Sequence, residues 1–167
     1  MILGAHVSTA GGVDNAPGNA GRLGIKALAI FTKNQRQWKA KPLGKDEIER
    51  WYAGLKEHGI THMVSHDSYL INLCAPDPEK LTKSIDGLTD EVERAEQLGL
   101  SHVIAHPGSH LQEGEEWGIS RIAESVSEIH TRLPGYKARI TLEITAGQGT
   151  NLGYTFEQIG KMIELSK

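Results

Sequence analysis

The side chains best suited by type to do chemistry in this sequence are histidines, and they recur at a fixed spacing. GLSHVIAHPGSH (residues 99–110) carries His102, His106 and His110, while GITHMVSHDSYL (59–70) places His62 and His66 in the same local frame. Histidines four apart on a helix share a face and could share one zinc ion. Each frame, however, follows a glycine, is short, is rich in apolar and β-branched residues, and ends in Asp-Ser or Pro-Gly, which predicts a strand. Four residues of strand span ~13 Å, so neither pair can chelate a single ion. His66 and His106 instead end their strands, where the active sites of parallel α/β proteins collect. His62 and His102 begin theirs, at the face usually concerned with stability. Glu143 is the only carboxylate in the strand-like run ARITLEITAGQG, again at its end. Any one such residue reads as a helix cap or a solvent contact. Three in register across successive strands read as a metal site of His, His and Glu, suited to zinc, manganese or iron.

The elements that must position these residues follow from periodicity. Short apolar runs alternate with longer amphipathic stretches, the signature of βα units. Strands are predicted at Ile2–His6, Ala27–Thr32, His62–His66, His102–His106 and Arg139–Ile144. Helices are predicted at Asn15–Leu23, Lys45–His58, Pro78–Leu98, Glu115–Leu133 and Thr155–Leu165. In the third of these, Leu81, Ile85, Leu88, Val92, Ala95 and Leu98 keep a helical period that stops at Gly99. Gly24, Gly59 and Gly99 stand where helices hand over to strands, as residues able to take positive φ at a C-terminal cap.

The remaining candidates are weighed against this frame. His6 also ends a strand and either lines the site or is satisfied by a neighbour. His110 reads as a loop residue, and His58 and His130 as solvated positions on helices. The TAGG and TAGQG stretches fit no complete nucleotide fingerprint, and turn chemistry accounts for them. The segment FTKNQRQWKAKPLGK (31–45) holds Lys33, Arg36, Lys39, Lys41 and Lys45 with no acid, leaving −8 over the rest of a chain of net charge −3. Positive charge concentrated beside one strand end favours a phosphate backbone, and Trp38, Asn34, Gln35 and Gln37 can stack or hydrogen-bond with bases. Tyr69 and Leu70, just after His66, either wedge between bases or bury in the core.

Bulk properties narrow the class. The 167 residues suffice for one domain with a sizeable core but fall short of the ~250 typical of a closed α/β barrel. The net charge of −3 argues against general attraction to nucleic acid. A lone cysteine, Cys74, excludes an internal disulfide and suits a reducing, cytoplasmic location. The N-terminal MILGAHVSTAGG has neither a basic n-region nor a long apolar stretch, so a signal peptide or a membrane span is not expected there.

Taken together, GAHVSTAGG, FTKNQRQW, HDSYLINLC, HPGSH and LEITAGQGTNLG, in this order, resemble the endonuclease IV family of apurinic/apyrimidinic endonucleases, from Ile2 to the C-terminus. The resemblance implies an α/β fold, the (β/α)8 TIM barrel, carrying a trinuclear zinc cluster. It implies a DNA repair hydrolase that cuts the phosphodiester 5′ to abasic sites in duplex DNA, leaving a 3′-hydroxyl and a 5′-deoxyribose phosphate. His66, His106 and Glu143 would then be zinc ligands, with Glu143 bridging two ions and so serving as the catalytic carboxylate. Arg36, Tyr69 and Leu70 would enter the DNA and hold open the lesion.

The same resemblance implies three further strands, bearing Asp, His and Glu ligands, that this sequence does not contain. Residues 1–167 are therefore expected to form a single domain corresponding to the N-terminal part of the barrel, about five βα units. Fewer zinc ions than in the family cluster, an incomplete catalytic site and open sheet edges prone to self-association are expected with it. Two other readings stand beside the endonuclease. One is a metal-dependent sugar isomerase or epimerase of the same barrel design, which would not need the basic loop. The other is a half-barrel that binds metal and DNA without cutting.

Overall fold

The computed structural model describes residues 1–166. Five strands, β1 (Gly4–His6), β2 (Ala27–Ile30), β3 (His62–His66), β4 (His102–Ala105) and β5 (Arg139–Leu142), alternate with α1 (Ala16–Arg22), α2 (Lys45–His58), α3 (Pro78–Gln97), α4 (Glu115–Arg132) and α5 (Phe156–Leu165). A short 3₁₀ turn, Val13–Asn15, leads into α1, where the sequence pattern suggests helix from Asn15 onward. The sheet is parallel throughout and its strand order is the chain order, β1-β2-β3-β4-β5. This is the arrangement that successive βα units produce.

Local chemistry explains where the elements stop. Asp77 caps α3 by accepting from the Lys80 N–H at 2.9 Å, ahead of Pro78 in the first turn, and Thr155 caps α5 in the same way toward Gln158. Gly59 ends α2 in the left-handed region at φ 61°, where a side chain would be strained. The strands are shorter than the sequence suggests at four of their ends. The first begins at Gly4, although the Leu3 carbonyl still accepts from the N–H groups of Lys26 and Ala27. The second stops at Ile30 because the Thr32 carbonyl and hydroxyl are drawn to α3. His106 and Glu143 each stand one residue beyond the last paired position of their strands, although the Glu143 N–H still reaches the Ala105 carbonyl at 2.9 Å.

The two faces of the sheet differ. Leu28, Ile30, Ser65, Val103 and Ala105 are buried beneath the helices. The apolar ones join Trp51, Leu55, Leu88, Val92, Ala95, Leu98, Ile122, Val126 and Ile129 in one hydrophobic cluster. The fully buried Trp51 indole of α2 donates to the Leu98 carbonyl at the C-terminal end of α3, at 2.9 Å. The other face, including Ala29, Val64, His66 and Ile104, is only partly covered. Among the described residues β1 pairs with β2 alone and β5 with β4 alone. Beside these edges lie exposed apolar groups, Ile2, Leu3 and Leu23 near the first, and Phe156 and Ile163 on α5. No helix among the described residues is long and apolar enough to cross a membrane.

Candidate metal centre

Three consecutive parallel strands end at one rim, and there His66, the last residue of β3, meets His106 and Glu143, each one residue past its strand. Their ligand atoms lie within 4.8 Å of one another. Glu143 Oε2 is the common point, 3.0 Å from His66 Nε2 and 4.0 Å from His106 Nε2. Adjacent ligands of a tetrahedral zinc ion stand ~3.4 Å apart, so small side-chain rotations would close the set around one ion. Two imidazoles and a carboxylate leave a coordination position open, the pattern of a catalytic rather than a purely structural ion. The His66 side chain is 14% exposed, whereas those of His106 and Glu143 are 41% and 43% exposed, so one ligand is fixed in the wall and two face the opening.

His66 is held from behind by its neighbour. Its Nδ1 donates to the Asp67 carbonyl at 3.0 Å and lies 3.4 Å from Asp67 Oδ1, an ion-pair distance that leaves this buried oxygen without a hydrogen bond among the described residues. The bond fixes the ring so that Nε2 points at Glu143, the outer support that metal-binding imidazoles require. The Asp67 carboxylate beside it, the Asp67 carbonyl and Glu143 together hold the proton on His66 up to about 9, against the opposing effect of burial. Burial in turn pushes the Asp67 carboxyl above its ordinary range, with His66 pulling the other way.

An aromatic wall flanks the ligands. Phe31 at the end of β2 lies between His6, at 4.6 Å, and His66, at 5.6 Å between ring centroids. His6 thus lies on the rim but outside the three-atom cluster; burial, followed by the charge of His66, lowers its pKa. Tyr69 stands over the group, 5.8 Å from the rings of Phe31 and His66 and 6.4 Å from His106, yet is 63% exposed. Leu70 beside it is 37% exposed. Neither is buried in the core, which removes one of the two readings the sequence left open. Arg36 is exposed at the tip of the β2–α2 loop, in a turn closed by Asn34, and its guanidinium has no partner among the described residues. Ser68 joins this loop to the Tyr69 loop by donating to the Gln35 carbonyl at 2.8 Å.

The basic segment exposes less charge than its sequence suggests. Lys33 does not belong to its exposed charge: it is 8% exposed and its ammonium is taken by Asp90 and Glu91 of α3. The exposed cations of the segment are Arg36, Lys39, Lys41 and Lys45. The other histidines behave locally. His62 and His102 bond to Thr61 and Ser101 at the opposite ends of their strands, His110 accepts from the Gly114 N–H, and His130 is exposed on α4. His58 is half-buried against Gly21 of α1 rather than fully solvated.

Two contributions escaped sequence reasoning. Asp67 is one; its adjacency to a strand-end histidine was the available signal. The other is Asn72, whose amide accepts from the Ser109 and Cys74 N–H groups and donates to the Ser109 carbonyl, pinning the loop after β3 to the loop after β4. Together with the loop after β5 they enclose a cavity of about 470 Å³ beside His106, lined by Tyr69, Leu70, Ser109, Gln148 and Asn151.

Residues 18–166 match the family model described as the xylose isomerase-like TIM barrel. The chain is 48% identical over 165 residues to the probable endonuclease 4 of Campylobacter concisus, and 47% identical over 167 residues to that of Campylobacter fetus subsp. fetus. These alignments cover 97% and 98% of this chain, which spans 58% of the length of each relative. Among solved structures, endonuclease IV from Thermus thermophilus superposes with a TM-score of 0.84 at 34% identity, over 96% of this chain and 58% of that one. D-psicose 3-epimerase from Clostridium cellulolyticum superposes at 0.72 over 100% of this chain and 60% of that one; at 16% identity it shares the fold alone.

Proposed function

Because the chain belongs to the xylose isomerase-like TIM-barrel family, on its endonuclease IV branch, and forms five βα units of such a barrel, we propose that it serves zinc-dependent cleavage of DNA 5′ to abasic sites. The observation that carries this reading is the convergence of His66 and His106 with Glu143 at one rim, directly beneath the exposed Tyr69 and beside the loop of Arg36. His66, its Nδ1 proton held by the Asp67 carbonyl, would offer Nε2 as a ligand on losing the second proton, whose pKa Asp67 and Glu143 hold up to about 9; His106 and Glu143 complete a set that fits zinc. Zinc held by these residues would supply a water acidic enough to ionise near neutral pH and positive charge for the phosphate oxygens. Glu143 is the catalytic carboxylate of the reading, the oxygen ligand beside the two imidazoles. Tyr69 and Leu70 wedge into the stack opposite the lesion, and Arg36 occupies the opened helix and meets the phosphates.

Three ligands suffice for about one ion, and the chain spans 58% of its relatives' length, which favours a second outcome for this chain alone: metal and abasic DNA bound, strand uncut. The deciding experiment measures zinc per purified chain, retention of a tetrahydrofuran-containing duplex, and strand cleavage. About one zinc and zinc-dependent retention of the abasic duplex are expected, with little cleavage. Turnover of ketose sugars with no preference for abasic DNA would sink the nuclease reading in favour of an isomerase or epimerase.

A further inference from the structure

The loop that carries Arg36 has neither helix nor strand between residues 31 and 44, yet a single buried side chain on α3 ties both of its ends. Arg94, 6% exposed, donates through Nη2 to the Thr32 carbonyl at 2.6 Å and through Nε to the Thr32 hydroxyl at 3.1 Å. Its Nη1 donates to the Lys41 carbonyl at 3.1 Å. The Thr32 hydroxyl passes its own proton toward Glu91 Oε2 at 2.5 Å, and Glu91, 2% exposed, balances the cations of Arg94 and Lys33. Lys33 adds a second anchor one residue along, to Asp90 and the Gly87 carbonyl. At the far side, Ser68 fixes the Gln35 carbonyl and the Asn34 side chain fixes the Arg36 N–H.

A planar fork presents its donors in fixed directions and so holds the Thr32 and Lys41 carbonyls in one geometry; a lysine ammonium in its place keeps the charge but loses that fork. Holding the two ends removes much of the conformational freedom that an irregular loop would otherwise lose when it meets a ligand. We infer that Arg94 is a positioning residue for DNA recognition: from the back of α3 it clamps the loop at Thr32 and Lys41 so that Arg36 is already aimed before the duplex arrives. The inference rests on the abasic-DNA reading above and adds to it a residue that touches no DNA.

The test is a double-mutant cycle between Arg94→Lys and Arg36→Ala, read by fluorescence anisotropy with a tetrahydrofuran-containing duplex and zinc present, alongside amide hydrogen exchange of the free chain. Arg36→Ala is expected to weaken binding about tenfold in the natural background. Arg94→Lys should do the same, and the two together should add less than about twofold, because an unaimed Arg36 has little left to lose. Amides of residues 34–41 should exchange at least about tenfold faster in Arg94→Lys, with the core strands unchanged. Additive losses, or unchanged exchange in the loop, would overturn the positioning role. If Arg94→Lys does not fold, Thr32→Val, which removes the hydroxyl shared by Arg94 and Glu91 and leaves both carbonyl bonds, takes its place, with smaller losses of the same sign and the same non-additivity with Arg36→Ala. Failure of the natural chain to bind the abasic duplex refutes the DNA reading itself, an outcome distinct from additivity in a chain that binds.

Discussion

His66 illustrates how much of a metal ligand lies outside the ligand. Its position comes from β3, but the aim of Nε2 comes from the bond that Nδ1 makes to Asp67. Asp67→Asn leaves the volume unchanged and takes away the anion 3.4 Å from Nδ1, and is expected to weaken zinc binding about tenfold, measured by competition with a chelating dye. His106→Ala removes a ligand outright and should weaken it further. Cys74 gives the opposite case, a reactive type made inert: burial pushes its thiol up to about 12. Buried and kept protonated, the thiol is withheld from thiol–disulfide exchange, so a disulfide reagent at pH 8 should label Cys74 only after denaturant unfolds the chain. The pairing of Lys33 with Asp90 and Glu91 is the residue-level fact that the linear sequence hid, since it depends on α3 lying across the end of β2.

At the scale of elements, the helices hold the sheet and the caps hold the helices. Leu88 faces the sheet from the middle of α3 and is fully buried, so Leu88→Ala should cost about 2–5 kcal/mol, read from the midpoint of urea unfolding. Gly59 tests a different mechanism, because its backbone sits at φ 61° with open room around it apart from the Lys26 ammonium. There Gly59→Ala should cost about 1 kcal/mol through backbone strain alone. These elements were legible because each carries its own signal: an apolar period, a proline at a start, a glycine at an end. The ends of the strands were less so. Whether Thr32 continues β2 is decided by Arg94 and Glu91, about sixty residues on, which outcompete the neighbouring strand for its polar atoms.

At the scale of the whole molecule, two surfaces flank the five-stranded sheet of the described residues. The exposed cations beside the site are four once Lys33 is counted inside. If all four meet phosphates, log K for abasic duplex should fall with log salt at a slope no steeper than about −4, measurable by a salt titration. The edges of β1 and β5, with Phe156 81% and Ile163 61% exposed nearby, form the surface proposed for self-association. Phe156→Lys with Ile163→Lys should lower the sedimentation coefficient of any associated species without changing zinc content. The sequence by itself determined the order of the βα units and the strand ends that carry His66, His106 and Glu143, because hydrophobic period and turn chemistry are local and survive in one dimension. It also bore the motifs that place the chain in its family. Tertiary structure alone decided that those three side chains meet within 4.8 Å, that Tyr69 and Leu70 face outward, and that Lys33 is spent inside while Arg94 holds the loop of Arg36. Each of these depends on partners distant along the chain, and their distances are fixed by packing rather than by any local preference.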